Sequence, residues 1–390
     1  MKNKLKSFII LFLILSVVFI ILLFTTKMFL KEANNTKTSD SIESSISQIV
    51  SPYIKDANNK GDTASAVVVG VLMPTGDKKV FSYGVNPETG TKPDSQSIFH
   101  IGSISKTFTA LLVSSNVVNG KMKLEEPPDA YLSSGVTIPS FNGKKMTFLD
   151  LLIHSSGLPK FPTNFKGDVS SYTPTMFYDF LNSYQLPYAP GTKLLYSNVG
   201  FQVAGRALVD FSGKTYDQLI KEVIADPLKM PNTSMSLSDN QKEKVVTGYK
   251  NGSSVPLPEF EIFGAGGLVS NADDMLNLLE VLSGLDKSLL SKETQLVTTS
   301  YKERSPGVFV GLGLDSIVKD DIGNTFFIKG GSGFGYKAQI LFSNNPSSGV
   351  VVLSNSENFN SIASITCAIA EAVLDLNEDS IPCGNSGVNE

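Results

Sequence analysis

Ser103 and Lys106 stand three residues apart in FHIGSISKTF (99–108), just ahead of an apolar stretch of helical period. On a helix, residues i and i+3 share a face with Cβ atoms roughly 5–6 Å apart, so an amine at 106 reaches a hydroxyl at 103. The free N–H groups and positive dipole end of a helix N-terminus would act on the same hydroxyl. A serine beside an amine in that setting is one of the few nucleophiles that needs no histidine. The plainer reading is that Ser103 caps the helix, since serine is a favoured N-cap, and that Lys106 is solvated. A second match to the pattern, Ser316 and Lys319, lies in a strand-like stretch. There i and i+3 point to opposite faces and cannot meet.

Such a pair needs further parts. A histidine-based hydrolase has little to draw on: no G-x-S-x-G elbow occurs, the nearest stretch (GGSGF) fails at Phe334, and His100 and His154 are the two histidines. With a lysine as base, a second group must carry protons to the leaving group, an amide must hold the substrate, and two N–H groups must bind the oxyanion. KLLYSNVGF places Tyr196, Ser197 and Asn198 on a loop before a helix, whereas Tyr249-Lys250-Asn251 runs into a turn. FFIKGGSGFGY sets Lys329, Gly330, Gly331 and Ser332 at the end of an apolar strand, and its glycines imply close approach of a ligand to the backbone. Taken singly, Tyr196 also reads as a packed aromatic and the glycines as a hairpin. No G-K-[ST] follows, which excludes a phosphate-binding loop.

With S-x-x-K, Y-S-N and K-x-G in this order, the chain resembles the penicillin-recognising serine hydrolases. Within them it is most similar to class C β-lactamases and the low-molecular-mass D-Ala-D-Ala carboxypeptidases and endopeptidases. LLIHSSGLP (151–159) and GAGGLVSNADDM (264–275) also look like stretches of that family, and the likeness covers about residues 45–376. The resemblance implies that Ser103 is the acyl-forming nucleophile, Lys106 its general base and Tyr196 the proton carrier. It implies that Asn198 holds the substrate's amide side chain and that Lys329 tunes Tyr196. The backbone N–H groups of Ser103 and Ser332 would form the oxyanion hole, with Gly331 in the substrate-binding segment. His154 reads as structural.

One position departs. The family's K-[TS]-G carries a hydroxyl where this chain has Gly330. Losing a carboxylate contact usually costs about 1.5–3 kcal/mol, so the departure leaves the reaction type intact and opens the substrate. The implied function is a serine hydrolase acting through an acyl-enzyme on D-Ala-D-Ala type peptides of peptidoglycan, with β-lactam binding or hydrolysis. The alternatives are an esterase or D-aminopeptidase on the same scaffold, or a non-catalytic membrane-anchored sensor of β-lactams or wall fragments. No cofactor is implied. Two cysteines and two histidines cannot build the usual zinc clusters, and no H-E-x-x-H occurs.

The elements that must hold these residues are legible from period and punctuation. ASAVVVGVL, the turn PTGD and KKVFSYG predict a β-hairpin, and the Ser103 helix ends at Gly120. A mostly helical insertion runs over about 124–274. Strands come next at 308–314, 325–329, 336–342 and 349–354, then an amphipathic helix over about 361–376. That order predicts an α+β fold like that of β-lactamases and penicillin-binding proteins: an antiparallel sheet flanked by N- and C-terminal helices, plus a mainly helical subdomain.

Residues 7–26 carry no charge and would span roughly 30 Å as a helix, the thickness of a bilayer's hydrocarbon core. Lys2, Lys4 and Lys6 precede them, so the expected order is a cytoplasmic N-terminus (1–6), a transmembrane anchor (7–26) and a tether (27–40). An extracytoplasmic catalytic domain (41–380) and a tail (381–390) complete it. Secretion after signal cleavage is the alternative. Outside the cell Cys367 and Cys383 could pair, or remain two unrelated thiols. A net charge of −4 offers no basic surface for nucleic acid.

Overall fold

A computed structural model describes residues 39–258, 263–321 and 323–374. The chain divides after Ser45. Among the described residues the first unit holds the opening of helix α1 (Ser39–Val50), and the remaining elements belong to the second, from Ile46. The elements that matter to the site are, in chain order, β1 (Ala66–Leu72), β2 (Lys78–Gly84), β3 (Phe99–His100), α2 (Ser105–Val118) and α3 (Asn198–Ser212). They continue with β4 (Val269–Ser270), α4 (Ala272–Leu282), β5 (Lys302–Ser305), β6 (Val308–Val310), β7 (Ser316–Lys319), β8 (Thr325–Gly333), β9 (Tyr336–Asn344), β10 (Ser347–Ser354) and α5 (Ile362–Val373).

Eight strands make one antiparallel sheet in the order β2-β1-β10-β9-β8-β7-β6-β5. β1 is AVVVGVL and all seven residues are buried, as a central strand covered on both faces requires. Its partner β10 is far away in sequence: Val67 pairs with Ser354 and Leu72 with Gly349. At Gly70 a Cβ would lie 2.8 Å from Val351 Cγ1 and 3.1 Å from Leu276 Cγ, so the missing side chain lets α4 seat on the sheet. α5 covers β9 and β10. β8 and β9 are joined by Phe334 and Gly335, both at positive φ (54° and 89°), the geometry that matches a two-residue hairpin to strand twist.

The predicted hairpin, the late strands and the final helix fall where expected, with one shortening. The stretch 308–314 is strand only over Val308–Val310, because Leu312 N turns to Val297 O and Gly313 N donates to the Leu152 carbonyl. The Ser316–Lys319 control behaves as a strand, with Ser316 buried and Lys319 exposed. Cys367 is engaged in a disulfide, and Cys383, the chain's other cysteine, lies outside the described residues. The anchor expected at 7–26 also lies outside them; among the described residues no helix is long and apolar enough to cross a membrane.

α4 starts on a buried carboxyl. Asn271 caps the helix by accepting Asp274 N, and Asp274 Oδ2 accepts from Asn232 N and Thr233 Oγ1, each at 2.8 Å. Burial pushes the Asp274 pKa up to about 6. A carboxyl raised above its unfolded value stabilises fully below the unfolded pKa, and that contribution is lost as pH rises through about 6. Asn at 274 can still accept both hydrogen bonds through its oxygen. Asp274→Asn is therefore expected to gain in Tm over the parent as pH goes from acid to neutral. Thermal melts of both proteins across that range check it, and a pH-independent difference would count against it.

Candidate active site

The nucleophile's turn is held from both ends. β3 pairs with β4 (Phe99 with Ser270), and Ile101 N donates to Leu268 O at 3.0 Å. Gly102 then takes a positive φ of 53° and opens a 3-10 turn, Gly102–Ile104, from which α2 departs. Ser103 thus lies in the turn and does not cap the helix; Ile104 holds the cap position without a side-chain bond. Ser105 takes the local hydrogen bonds instead, donating to Gly102 O (2.7 Å) and accepting from Leu268 N (3.2 Å). The Ser103 hydroxyl is left to face a cavity of about 450 Å³.

Lys106, in the first turn of α2, is fully buried. Its Nζ donates to Asn198 Oδ1 (2.8 Å) and Ala265 O (2.5 Å) and lies 3.0 Å from Ser103 Oγ. Tyr196 OH is 2.7 Å from the same Ser103 oxygen. Asn198 is the first residue of α3, which Ser197 caps by accepting Gly200 N. Lys106 Nζ and Lys329 Nζ lie 4.9 Å and 5.5 Å from the Tyr196 ring centroid, and the Lys329 ammonium favours negative charge developing on the phenol oxygen. His154 stacks on that ring at 4.4 Å, and its Nδ1 accepts Ser197 N at 3.1 Å. Burial, then Lys106 and Lys329, holds the His154 imidazole well below its ordinary range. A neutral ring is what that acceptor role needs, so this residue orients Tyr196.

Lys329 enters from β8 and forms a buried ion pair with Asp315, Nζ to Oδ1 at 2.6 Å. The other Asp315 oxygen accepts Gly330 N at 2.9 Å. β7 ends its pairing with Ser316 opposite Ile328, so from Lys329 onward β8 turns an edge free of β7 toward the nucleophile. The nucleophile's turn packs against that segment through glycines. A Cβ on Gly102 would lie 2.4 Å from Ser332 N, and one on Gly331 would lie 2.0 Å from Ile101 O and 2.8 Å from Ser103 N. The close approach read at Gly331 is therefore that of the nucleophile's own backbone. Gly330 faces elsewhere: its Cβ would meet Gln339 Oε1, across the strand pair, at 2.8 Å.

Ser103, Tyr196, Asn198 and Ser332 line the cavity; Lys106, Lys329 and Gly331 support it from behind. Asp315 and Gln339 carry no motif; Ala265 and His154 lie in the family-like stretches GAGGLVSNADDM and LLIHSSGLP, which by themselves gave Ala265 no role and His154 only a structural one. Gly102 had a signal, a glycine directly before the serine.

A serine in reach of both a buried lysine and a tyrosine, on an antiparallel sheet flanked by helices, defines a serine hydrolase of the lysine-dependent kind. The Beta-lactamase family profile matches residues 52–372, and the chain belongs to that family. It is 28% identical over 263 residues to the D-alanyl-D-alanine-carboxypeptidase/endopeptidase AmpH of Escherichia coli (strain K12), covering 66% of this chain and 68% of that one. It is also 28% identical over 244 residues to a β-lactamase of Pseudomonas fluorescens, covering 60% and 64%. The fold is shared with a β-lactamase/D-alanine carboxypeptidase from Yersinia pestis complexed with citrate (TM-score 0.71, 23% identity, 84% of this chain and 98% of that one). A class C β-lactamase gives a TM-score of 0.76 at 21% identity, covering 86% and 98%.

Proposed function

We propose that this enzyme is a membrane-tethered, extracytoplasmic hydrolase that acylates Ser103 with D-Ala-D-Ala type peptides of peptidoglycan and takes β-lactams as mimics. The observation that carries the proposal is Ser103 Oγ lying within 3.0 Å of Lys106 Nζ and 2.7 Å of Tyr196 OH. A neutral lysine amine has two hydrogens and one lone pair. Asn198 Oδ1 and Ala265 O take the hydrogens, which aims the lone pair at Ser103. In the proposed sequence Ser103 Oγ attacks the scissile carbonyl and its proton passes to Lys106. Tyr196 then delivers a proton to the departing amine nitrogen as the C–N bond breaks. Asn198 holds the acyl amide, Lys329 supports charge on Tyr196, and the N–H groups of Ser103 and Ser332 receive the oxyanion. Water hydrolyses the ester by the reverse relay. The names of the relatives support the substrate class, and the uncharged run at 7–26 supports the tether.

The test uses the full chain in cells, with a fluorescent penicillin and an active-serine probe beside Ser103→Ala. The wild type is expected to take both labels in the membrane fraction with Met1–Lys6 retained. Absence of both labels sinks the acyl-enzyme, and label persisting in Ser103→Ala means another serine reacts. Gly330, whose side-chain space is taken by Gln339 Oε1, favours an esterase as the second reading. Comparing D-Ala release with short-ester hydrolysis ranks the two.

A further inference from the structure

We infer that Lys160 anchors an anionic group carried on the acyl side of the substrate; the inference rests on the acyl-enzyme mechanism and narrows its substrate. The cavity extends to both sides of Ser103. Toward β8 its wall includes Phe334, Lys250 and Glu357, and toward Asn198 it includes Lys160, Phe161, Phe165 and Tyr172.

The two ends differ in charge. At the β8 end Lys250 Nζ is 2.7 Å from Glu357 Oε1, and Glu357 Oε2 accepts Gly335 N at 3.1 Å, so the cation is already neutralised. At the other end Lys160 faces no carboxylate within ion-pair distance among the described residues; its Nζ stands 5.8 Å from the Phe161 ring centroid. Its main chain is pinned beside the residue that holds the acyl amide. Asn198 N donates to Lys160 O at 3.2 Å, and Ser197 Oγ donates to Pro159 O at 2.9 Å.

The surface leading to Lys160 is apolar. Phe161, about half exposed at 49%, stacks on Phe165 at 5.7 Å, and Phe165 meets Tyr172 edge-on at 5.4 Å. An aromatic wall ending in an unneutralised ammonium recognises an apolar stem ending in a carboxylate. A stem ending in a bare amine is repelled there.

Two penicillins isolate this contact: 6-aminopenicillanic acid acylated with adipic acid, and the same compound with the distal carboxylate as a carboxamide. Each competes with the fluorescent penicillin for Ser103 in the full chain. The carboxylate is expected to acylate about fivefold faster, as for a partly exposed ion pair, with the preference shrinking as salt is raised. Lys160→Met should bring the ratio near one, Lys160→Arg should keep it, and Lys160→Glu should invert it. A ratio of one in the wild type, or a preference unchanged by Lys160→Met and Lys160→Glu, overturns the inference while labelling itself leaves the acyl-enzyme standing. A wild type that takes no label removes both.

Discussion

Lys106→Met is expected to slow the labelling of Ser103 by fluorescent penicillin about a hundredfold to ten-thousandfold, the range for loss of a positioned general base. Methionine fills much of the same buried volume but cannot accept a proton. The change also strips a donor from Asn198 Oδ1 and Ala265 O, now 2.8 Å and 2.5 Å from Nζ. Each acceptor left without a partner costs about 1–3 kcal/mol, so the Tm falls as well. Lys106→Arg separates the two effects: a guanidinium still donates but stays protonated, so it should recover part of the Tm and little of the rate. Rates are taken per folded molecule, with the folded fraction read by circular dichroism. A Met variant labelling within tenfold of the parent would show that some other group takes the Ser103 proton.

The second large effect is expected from a single methyl group. In Gly331→Ala the new carbon would sit 2.0 Å from Ile101 O and 2.8 Å from Ser103 N, both backbone atoms that cannot rotate away. The nucleophile's turn must back off from β8, which separates Ser103 N from Ser332 N. Losing one oxyanion donor typically costs about a hundredfold to a thousandfold in rate, and that loss is expected here with a lowered Tm. Gly330→Ala is the control one residue away. Its carbon crowds the far end of the Gln339 side chain at 2.8 Å and makes ordinary contact with Asp315 Oδ2 at 3.8 Å, so the amide swings aside and labelling stays near the parent rate. Equal behaviour of the two variants would refute the glycine contact as the feature that sets the oxyanion geometry.

The reactive groups were legible because each sits in a short local signal: Ser103 and Lys106 one turn apart, Tyr196 and Asn198 before a helix, Lys329 at a strand end. The Ser316 copy could be set aside for the same reason, since strand alternation sends Lys319 to the other face. What could not be read is what joins the segments. Ser103's turn looked like a helix cap because the rival hydrogen bonds come from Ser105 and from Leu268, 163 residues from Ser105. Asp315 was silent because one carboxylate in a strand connection looks like any other until Lys329 is placed against it. Gly331 reads in sequence as room for a ligand or as part of a hairpin, and only three-dimensional packing shows that the room is filled by the backbone of Ile101 and Ser103. Gly330 likewise reads as a lost hydroxyl in one dimension and as room for Gln339 in three.

The pairing of β1 with β10 bears on when activity can appear. Val67 meets Ser354, so the sheet that carries Lys329 and Ser332 closes only after nearly the whole chain is available. Contacts of that sequence separation form slowly and late. Ser103 and Lys106 are three residues apart, across the turn that leads into α2, and can meet early, yet the donors from β8 arrive with the last strands. Covalent labelling of Ser103 is therefore also a clock for folding. A pulse of probe during refolding would report the moment the topology is complete, and partly folded chains would stay chemically silent.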